Sequence, residues 1–443
     1  MKLRVFHASD GDCLLLSSSD AKPRRILIDG GRKSSFEEHT RAVLGQLREA
    51  GGKLHVVCVS HIDDDHISGV LKLVEDEVRW RAFEFLQSED PDAPEPEDPR
   101  PPEIGEVWHN GLYRLVGDNI APSVEGVLEA VATFLAGSTD ERLQDLASRF
   151  DDLATGERAS MELSRRLSDE QLGIALNPRS GGPDTLVKRG TSGDPADGEK
   201  ISLGKLRISV LGPSDDDIER LRAAWEEWLG ENEDALKELQ KKMLDDEDRL
   251  GTVSPSIVAN PMLDAALGEG LADVTEPNLA SVMLLVEESG KRILLTGDGI
   301  SSEILAGLEH HGKMPANGTL HVNVLKVQHH GALANVEQEF VKRVTADHYI
   351  FCGNGAHHNP EQEVVEAFAK ARIEGIDDDG PVGPSTSFKF WFTSRSTTPG
   401  LTQARRDHMK LIEDTVKALR QGHQNRMKAP HFLETGSFEI DLS

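Results

Sequence analysis

The chain is short of the features that mark secreted, membrane-bound or nucleic-acid-coating proteins. It holds three cysteines in 443 residues (Cys13, Cys58 and Cys352), too few and too scattered for a disulfide framework or a zinc ribbon. Aromatic residues make up 5 %, so aliphatic side chains must build the core within a hydrophobic share of 37 %. No apolar run approaches the roughly 18 residues of a membrane span, and the opening MKLRVFHASDGDC contains no apolar signal segment. Positive charge is scarce as well: 49 Lys and Arg face 77 Asp and Glu, a net charge of −28. A field of that sign repels polyanions and acidic membrane surfaces. These absences predict a reduced, cytoplasmic globular protein with no membrane part, and length alone suggests about three domains.

What is present is β-rich at both ends. LRVFH, CLLLSS, RRILIDGG and LHVVCVS read as short strands punctuated by Asp-Gly, Lys-Pro and Gly-Gly, with a helix over 34–52 that Ser34 or Ser35 can cap and Gly51-Gly52 ends. The stretch 88–103 packs six prolines and seven acids into sixteen residues and reads as an extended linker. Helical patterns follow over 124–136, 140–154 and 160–171, then a Gly/Pro/Asp-rich loop. After the strand KLRISVLGP, residues 215–250 form an acidic helical segment with fourteen acids against six Lys and Arg. Its apolar residues Ile218, Leu221, Trp225, Trp228, Leu236, Leu239 and Met243 keep a 3/4 spacing, a seam for the protein's own body or for a homodimer partner. SVMLLVEE, KRILLTGD, HVNVLKV, DHYIFCG and FKFWFTS are strands again, with helices over 301–310, 335–343, 361–371 and 404–420. A β-rich half, helical insertions and a second β-rich half suit two sheets between outer helices.

The sharpest chemical signal is SHIDDDHISG at 60–69, directly after the apolar run VVCV. His61, Asp63, Asp64, Asp65 and His66 crowd three carboxylates and two imidazoles into six residues. That is gratuitous repulsion on a solvated turn but a ligand set around divalent cations. Polar residues stand just past apolar strands at three further places: Asp29 in ILIDGG, Asp298 in ILLTGDG, and His329 with His330 in VLKVQHHGA. A second His-His-Gly, at LEHHGK, follows a helix instead, so His310 and His311 read as surface residues. Cys13, inside a strand run, reads as a small buried apolar residue.

Taken together, these motifs resemble the metallo-β-lactamase fold. The subgroup around the soluble domain of the ComEC-type DNA-uptake channels is the more similar: GDCLLL, ILIDGG, HIDDDHISG, VLGP, PNLASVMLL with Asn278 and Ser281, LLTGD, LKVQHHG and HHNPEQEVV occur in the same order. The resemblance spans about 1–75 and 200–373. It implies an α/β protein of the αββα sandwich type with helical insertions. The core would comprise 1–75 and 200–443; 76–200 would be a linker plus helical insertion, and 215–260 an acidic insertion within the core. It also implies a dinuclear centre with two divalent ions, Zn²⁺ or Mn²⁺. His61 and Asp63 would serve the first ion, Asp65, His66 and His329 the second, and Asp298 would bridge them. Asp29 would orient loop ligands, with Asn278 and Ser281 as further supports. His357 matches a late histidine directed at the substrate's phosphate.

Two departures from that pattern stand out. Asp63 occupies the position of the wider superfamily's second histidine, and the added oxygen ligation tilts preference toward manganese or iron. No clear third-motif histidine is present; His109, in VWHNG, is the single candidate, and its surroundings read as those of an ordinary core or surface histidine. The reaction implied is hydrolysis, with a nuclease or phosphodiesterase acting on DNA or RNA as the leading reading. Asp65 would hold the attacking water, and His330 or His357 would contact the scissile phosphate with Lys326 as a helper. The acidity suggests a latent enzyme, released when a regulatory partner or a protease displaces an acidic insert, as in a defence effector. The alternative is a hydrolase of a small lactone, thioester or β-lactam, and a third class is a metal-stabilised interaction module.

Overall fold

The computed structural model describes residues 1–111, 114–115, 141–190, 200–231, 280–316, 318–374 and 387–443, with the side chains of 141–153, 200 and 228–231 left aside. The helix expected over 124–136, the positions Leu236, Leu239 and Met243, and Asn278 lie outside the described residues.

The apolar runs form strands whose alternate residues face opposite ways, and that alternation sets up the layers. β1 (Lys2–Phe6), β2 (Leu14–Ser17), β3 (Arg25–Ile28), β4 (Leu54–Cys58), β5 (Ile104–Trp108), β6 (Ala175–Leu176) and β15 (Ser437–Asp441) make one sheet in the order β15-β1-β2-β3-β4-β5-β6. The second sheet runs β14-β13-β12-β11-β10-β9-β8-β7. It contains β7 (Lys200–Leu203), β8 (Leu206–Gly212), β9 (Met283–Glu288), β10 (Lys291–Leu295), β11 (Leu320–Lys326), β12 (Val344–Phe351), β13 (Lys389–Phe392) and β14 (His431–Phe432). Both are mixed: β1 pairs antiparallel with β15 and β2, β2 antiparallel with β3, and β3, β4 and β5 run parallel. In the second sheet β8, β9 and β10 alternate and β10, β11 and β12 run parallel.

Leu14, Leu16, Ile26, Ile28 and Val56 of the first sheet share a buried cluster with Ile208, Leu284, Val286, Ile293 and Val324 of the second, so the sheets meet face to face. The alternate residues Leu15, Leu27 and Val57 instead pack under helices. These are α1 (Arg41–Glu49), α2 (Asp64–Glu89) and α3 (Glu141–Leu167), which contribute Leu44, Val70, Leu73 and Leu163. α4 (Asp215–Glu231) buries Ile218, Leu221 and Trp225. On the far face of the second sheet, Leu285, Leu294 and Leu325 pack with Leu308, Phe340, Phe368 and Ile412. These last come from α5 (Ser301–His310), α6 (Gln338–Arg343), α7 (Gln362–Ile373) and α8 (Gln403–Arg420). Each such buried side chain contributes roughly 1.5–3 kcal/mol.

Several expectations are corrected. α2 is 26 residues long and continues to Glu89, so the first residues of the stretch read as linker from 88 are its last turn. The helices expected over 140–154 and 160–171 are one continuous element, α3. β5 and β6 lie within 76–200 and extend the first sheet. Residues 90–103 are irregular, as the prolines require, but are pinned to the body by Arg41–Asp98 and by the Trp80 indole N–H on the Asp98 carbonyl. Neither Ser34 nor Ser35 caps the helix after β3; the Ser35 hydroxyl donates to the Arg32 carbonyl. His311 is buried, its Nε2 2.8 Å from the Val210 carbonyl, because α5 ends against β8.

Candidate metal centre

The parallel pairs β3/β4 and β10/β11 place four chain turns where ligands gather in open α/β sheets, at the carboxyl ends of the strands. Asp29 follows β3, residues 60–66 follow β4, Thr296–Asp298 follow β10 and Gln328–Gly331 follow β11. Gly30 N–H donates to the His66 carbonyl and Gly69 N–H to the Gly31 carbonyl, so the Asp29 turn and the start of α2 are one unit. Gly11 presses against the same loop: a Cβ there would sit 1.7 Å from the Asp65 carbonyl oxygen, which only glycine avoids.

Four imidazoles converge on one carboxylate oxygen. Asp298 Oδ2 lies 3.2 Å from His330 Nε2, 3.5 Å from His66 Nε2, 3.7 Å from His61 Nε2 and 3.8 Å from His329 Nε2. Asp65 Oδ2 is 3.2 Å from His330 Nε2 and 3.6 Å from His66 Nε2, and Asp63 Oδ2 is 3.4 Å from His61 Nε2. Most of these distances exceed a good hydrogen bond, whereas two donors sharing a tetrahedral zinc at about 2.1 Å lie roughly 3.4 Å apart. His61 Nε2 and Asp63 Oδ1 are buried atoms without a hydrogen bond. That pairing of ligand-like spacing with unsatisfied donors fits a divalent ion.

Each ring is held from behind. The His66 Nδ1 proton points to Asp29 Oδ2 at 3.0 Å. Asp29, fully buried, also accepts the Ser60 N–H and hydroxyl, both at 2.7 Å. The Ser60 hydroxyl, its proton given to Asp29, faces His61 Nδ1 at 3.1 Å. His329 Nδ1 is 2.7 Å from Asn335 Oδ1, and Asn335 Nδ2 donates to the Asp298 carbonyl. His330 Nδ1 faces Asp12 Oδ1 at 3.4 Å, an ion-pair approach rather than a hydrogen bond. Pinning Nδ1 in this way leaves each Nε2 lone pair for an ion, the usual outer-shell arrangement of histidine ligands.

Asp12, His66, Asp298 and His330 each bring one donor atom within 4.8 Å of the others. Of these, Asp12 lies behind the His330 ring, with Oδ2 2.5 Å from the buried Lys326 ammonium, so it orients rather than ligates. Lys326 also lies 3.3 Å from Asp298 Oδ1 and donates to the Gly297 carbonyl. Lys326 is therefore a structural counter-cation and is enclosed, not available to a substrate. Ser281, fully buried, accepts the Asp298 N–H at 3.3 Å.

The buried carboxylates and imidazoles shift one another's protonation. Burial opposes ionisation of Asp298, but His330, His66, Lys326 and His329 hold its carboxyl well below the usual range. Burial would likewise lower His66 and His330, yet the surrounding carboxylates raise both well above 6.5: Asp65, Asp298 and Asp29 for His66, and Asp298, Asp12 and Asp65 for His330. Two imidazolium groups stand where cationic charge is wanted, and their protons would leave on metal loading.

The remaining candidates lie elsewhere. His109 is buried with Nε2 2.8 Å from the Ser160 hydroxyl, and burial pushes its pKa down to about 4. It lines a cavity of about 730 Å³ whose wall includes Glu157, Ser160, Met161, Asn177 and Leu186. That cavity adjoins the ligand loop through α3, since a Cβ on Gly156 would meet the Ile62 carbonyl oxygen at 1.8 Å. His357 is exposed on the turn Ala356–His358, in left-handed backbone at φ 49°. Asp12 and Asn335 escaped the sequence reading. The only sign of Asp12 was its place in GDC, directly after Gly11, and Asn335 carried none.

Residues 18–78, which hold Asp29, His61, Asp63, Asp65 and His66, match the family model of the metallo-beta-lactamase superfamily. A search of curated proteins finds no match to this sequence.

Proposed function

We propose that the protein is a dinuclear metal-dependent hydrolase of the metallo-β-lactamase type, an αββα sandwich, that cleaves phosphodiester bonds in nucleic acid. The observation that carries this is the set of four imidazole Nε2 atoms within 3.8 Å of one buried carboxylate oxygen. With Asp63 and Asp65 the donor set is rich in oxygen, which favours Mn²⁺ over Zn²⁺ and suits the hard oxygens of a phosphoryl group. Two divalent ions held there would supply Lewis-acid charge neutralisation and hydroxide at neutral pH. Asp65, partly exposed beside His330, would orient the attacking water, and His357, on an exposed turn, would meet the phosphate. Enclosed His330 serves the ion rather than the substrate. The acidic surface suits a latent enzyme, in which negative charge keeps polyanions away until a partner or a protease removes it.

A second reading rests on the cavity beside the ligand loop. Its lining comes from residues 109–186 and carries Glu157, Asp169, Glu170 and Asp184 against Arg114. An acidic pocket of that size suits a small lactone, thioester or lactam better than a polyanion.

Digestion of single- and double-stranded DNA and RNA with added Mn²⁺ or Zn²⁺ separates the readings. Intact protein, lightly proteolysed protein and an Asp65→Ala/His66→Ala control run side by side. Cleavage only after proteolysis establishes the latent nuclease, and cleavage by intact protein keeps the nuclease without latency. Metal-loaded protein that cleaves nothing moves the assignment to the small-molecule hydrolase.

A further inference from the structure

We infer that the adjacent histidines of QHHG serve different ions, and that His329 supplies the ligand the missing third-motif histidine would have given. This rests on the dinuclear reading above. The donors around Asp298 fall into two groups of unequal size. One already offers four donors: His330 Nε2 lies 3.4 Å from His66 Nε2, both face Asp65 Oδ2, and both face Asp298 Oδ2. Among the described residues the other holds His61, Asp63 and the shared Asp298, one donor fewer. His329 Nε2 faces the same Asp298 oxygen, 3.8 Å away. Assigning it to the short group gives each ion two histidines, one aspartate of its own and the shared Asp298.

The backbone explains how neighbours in sequence reach opposite sides. His329 and His330 both adopt left-handed conformations, φ 45° and 55°, which residues with a Cβ rarely take and which cost energy at each position. Their ring planes stand at 73° with centroids 5.9 Å apart. The His329 N–H donates to the Gly297 carbonyl, fixing the turn beside Asp298, and Asn335 ties the His329 ring and the Asp298 carbonyl together. His330 is pulled the other way by Asp12. His329 and Asp63 are also the more exposed donors, with side chains 27 % and 24 % accessible, and both stand at the mouth of the site.

The test is metal stoichiometry. Full-length protein is stripped with chelator, reloaded with Mn²⁺, desalted, and its manganese measured per chain, with circular dichroism confirming that each variant is folded. Wild type should hold two ions, and His329→Ala and His330→Ala one each. The double variant His61→Ala/His329→Ala should still hold one, and His329→Ala/His330→Ala none. If His329→Ala keeps both ions, or if His329→Ala/His330→Ala keeps one while His61→Ala/His329→Ala keeps none, the split is wrong. Wild type that binds fewer than two ions removes the dinuclear reading itself, and the assignment with it. Should a double variant fail to fold, the milder pairs His61→Gln/His329→Gln and His329→Gln/His330→Gln carry the same comparison.

Discussion

At the scale of single residues, Lys326 is the most consequential side chain outside the ligand set. It is 1 % exposed and holds Asp12 and Asp298 by their outward oxygens. Replacing it by methionine takes the ammonium away from two buried carboxylates, and breaking a buried pair this way costs about 3–5 kcal/mol. The Lys326→Met protein should melt well below wild type when stripped of metal, and Mn²⁺ should recover more of its melting temperature than it adds to wild type. Equal melting of the two stripped proteins would show that Lys326 bears no such charge. His109 makes a prediction of the opposite kind. Its folded pKa of about 4 lies below the ordinary 6.5, so its contribution is fully present above 6.5 and is lost as pH falls toward 4. Wild type should lose stability relative to His109→Gln as pH is lowered from 7 to 4 in chelator. A difference independent of pH would mean that this imidazole is not held neutral by burial. The ligand loop was legible because its donors lie within six residues, a density with no cheap explanation on a surface. Asp12 and Asn335 were not, because an aspartate in a turn looks the same whether or not a distant lysine and histidine fold against it.

At the scale of elements, the long central strands were readable as uninterrupted aliphatic runs, and α5, α7 and α8 by their spacing and breakers. The short edge strands were not. His431–Phe432 and Ala175–Leu176 have two residues each, and Ser437–Asp441 offers only Phe438 and Ile440 as inward positions. α2 was hidden by its own interior, where Lys72, Asp76 and Glu77 are buried and paired with one another or with Arg41 and Arg81, so its apolar face is interrupted by charge. One element-level contact is directly testable. Gly11 lets the β1–β2 turn lie on the Asp65 backbone, and any Cβ would force the two apart. Gly11→Ala removes no donor, yet it should lower manganese occupancy while leaving the circular dichroism spectrum unchanged. A Gly11→Ala protein that loads as fully as wild type would show that the loop tolerates the displacement.

At the scale of the whole molecule, the question is how a chain of net charge −28 could act on a polyanion. The acidic segment expected to swing away is in part fixed. α4 buries Ile218, Leu221 and Trp225, and Arg220, paired with Asp217 on the same helix, ties it to Glu303 of α5, the helix that begins just after Asp298. Seven of the fourteen acids in 215–250 fall on this anchored stretch, 215–231. Asp216, Glu219, Glu226 and Glu227 are exposed on it, a fixed negative screen beside the site rather than a removable arm. Changing these four to lysine alters no buried contact and should leave the fold intact. It should raise the rate of oligonucleotide cleavage at low ionic strength, and the gain should shrink as salt is added, because exposed charges act over about 10 Å at 0.1 M. Hydrolysis of a neutral ester by the same protein should not change, since no field steers an uncharged substrate. If cleavage of the oligonucleotide is also unmoved at low salt, α4 does not guard the centre, and the source of latency must be sought in residues 232–260 or given up.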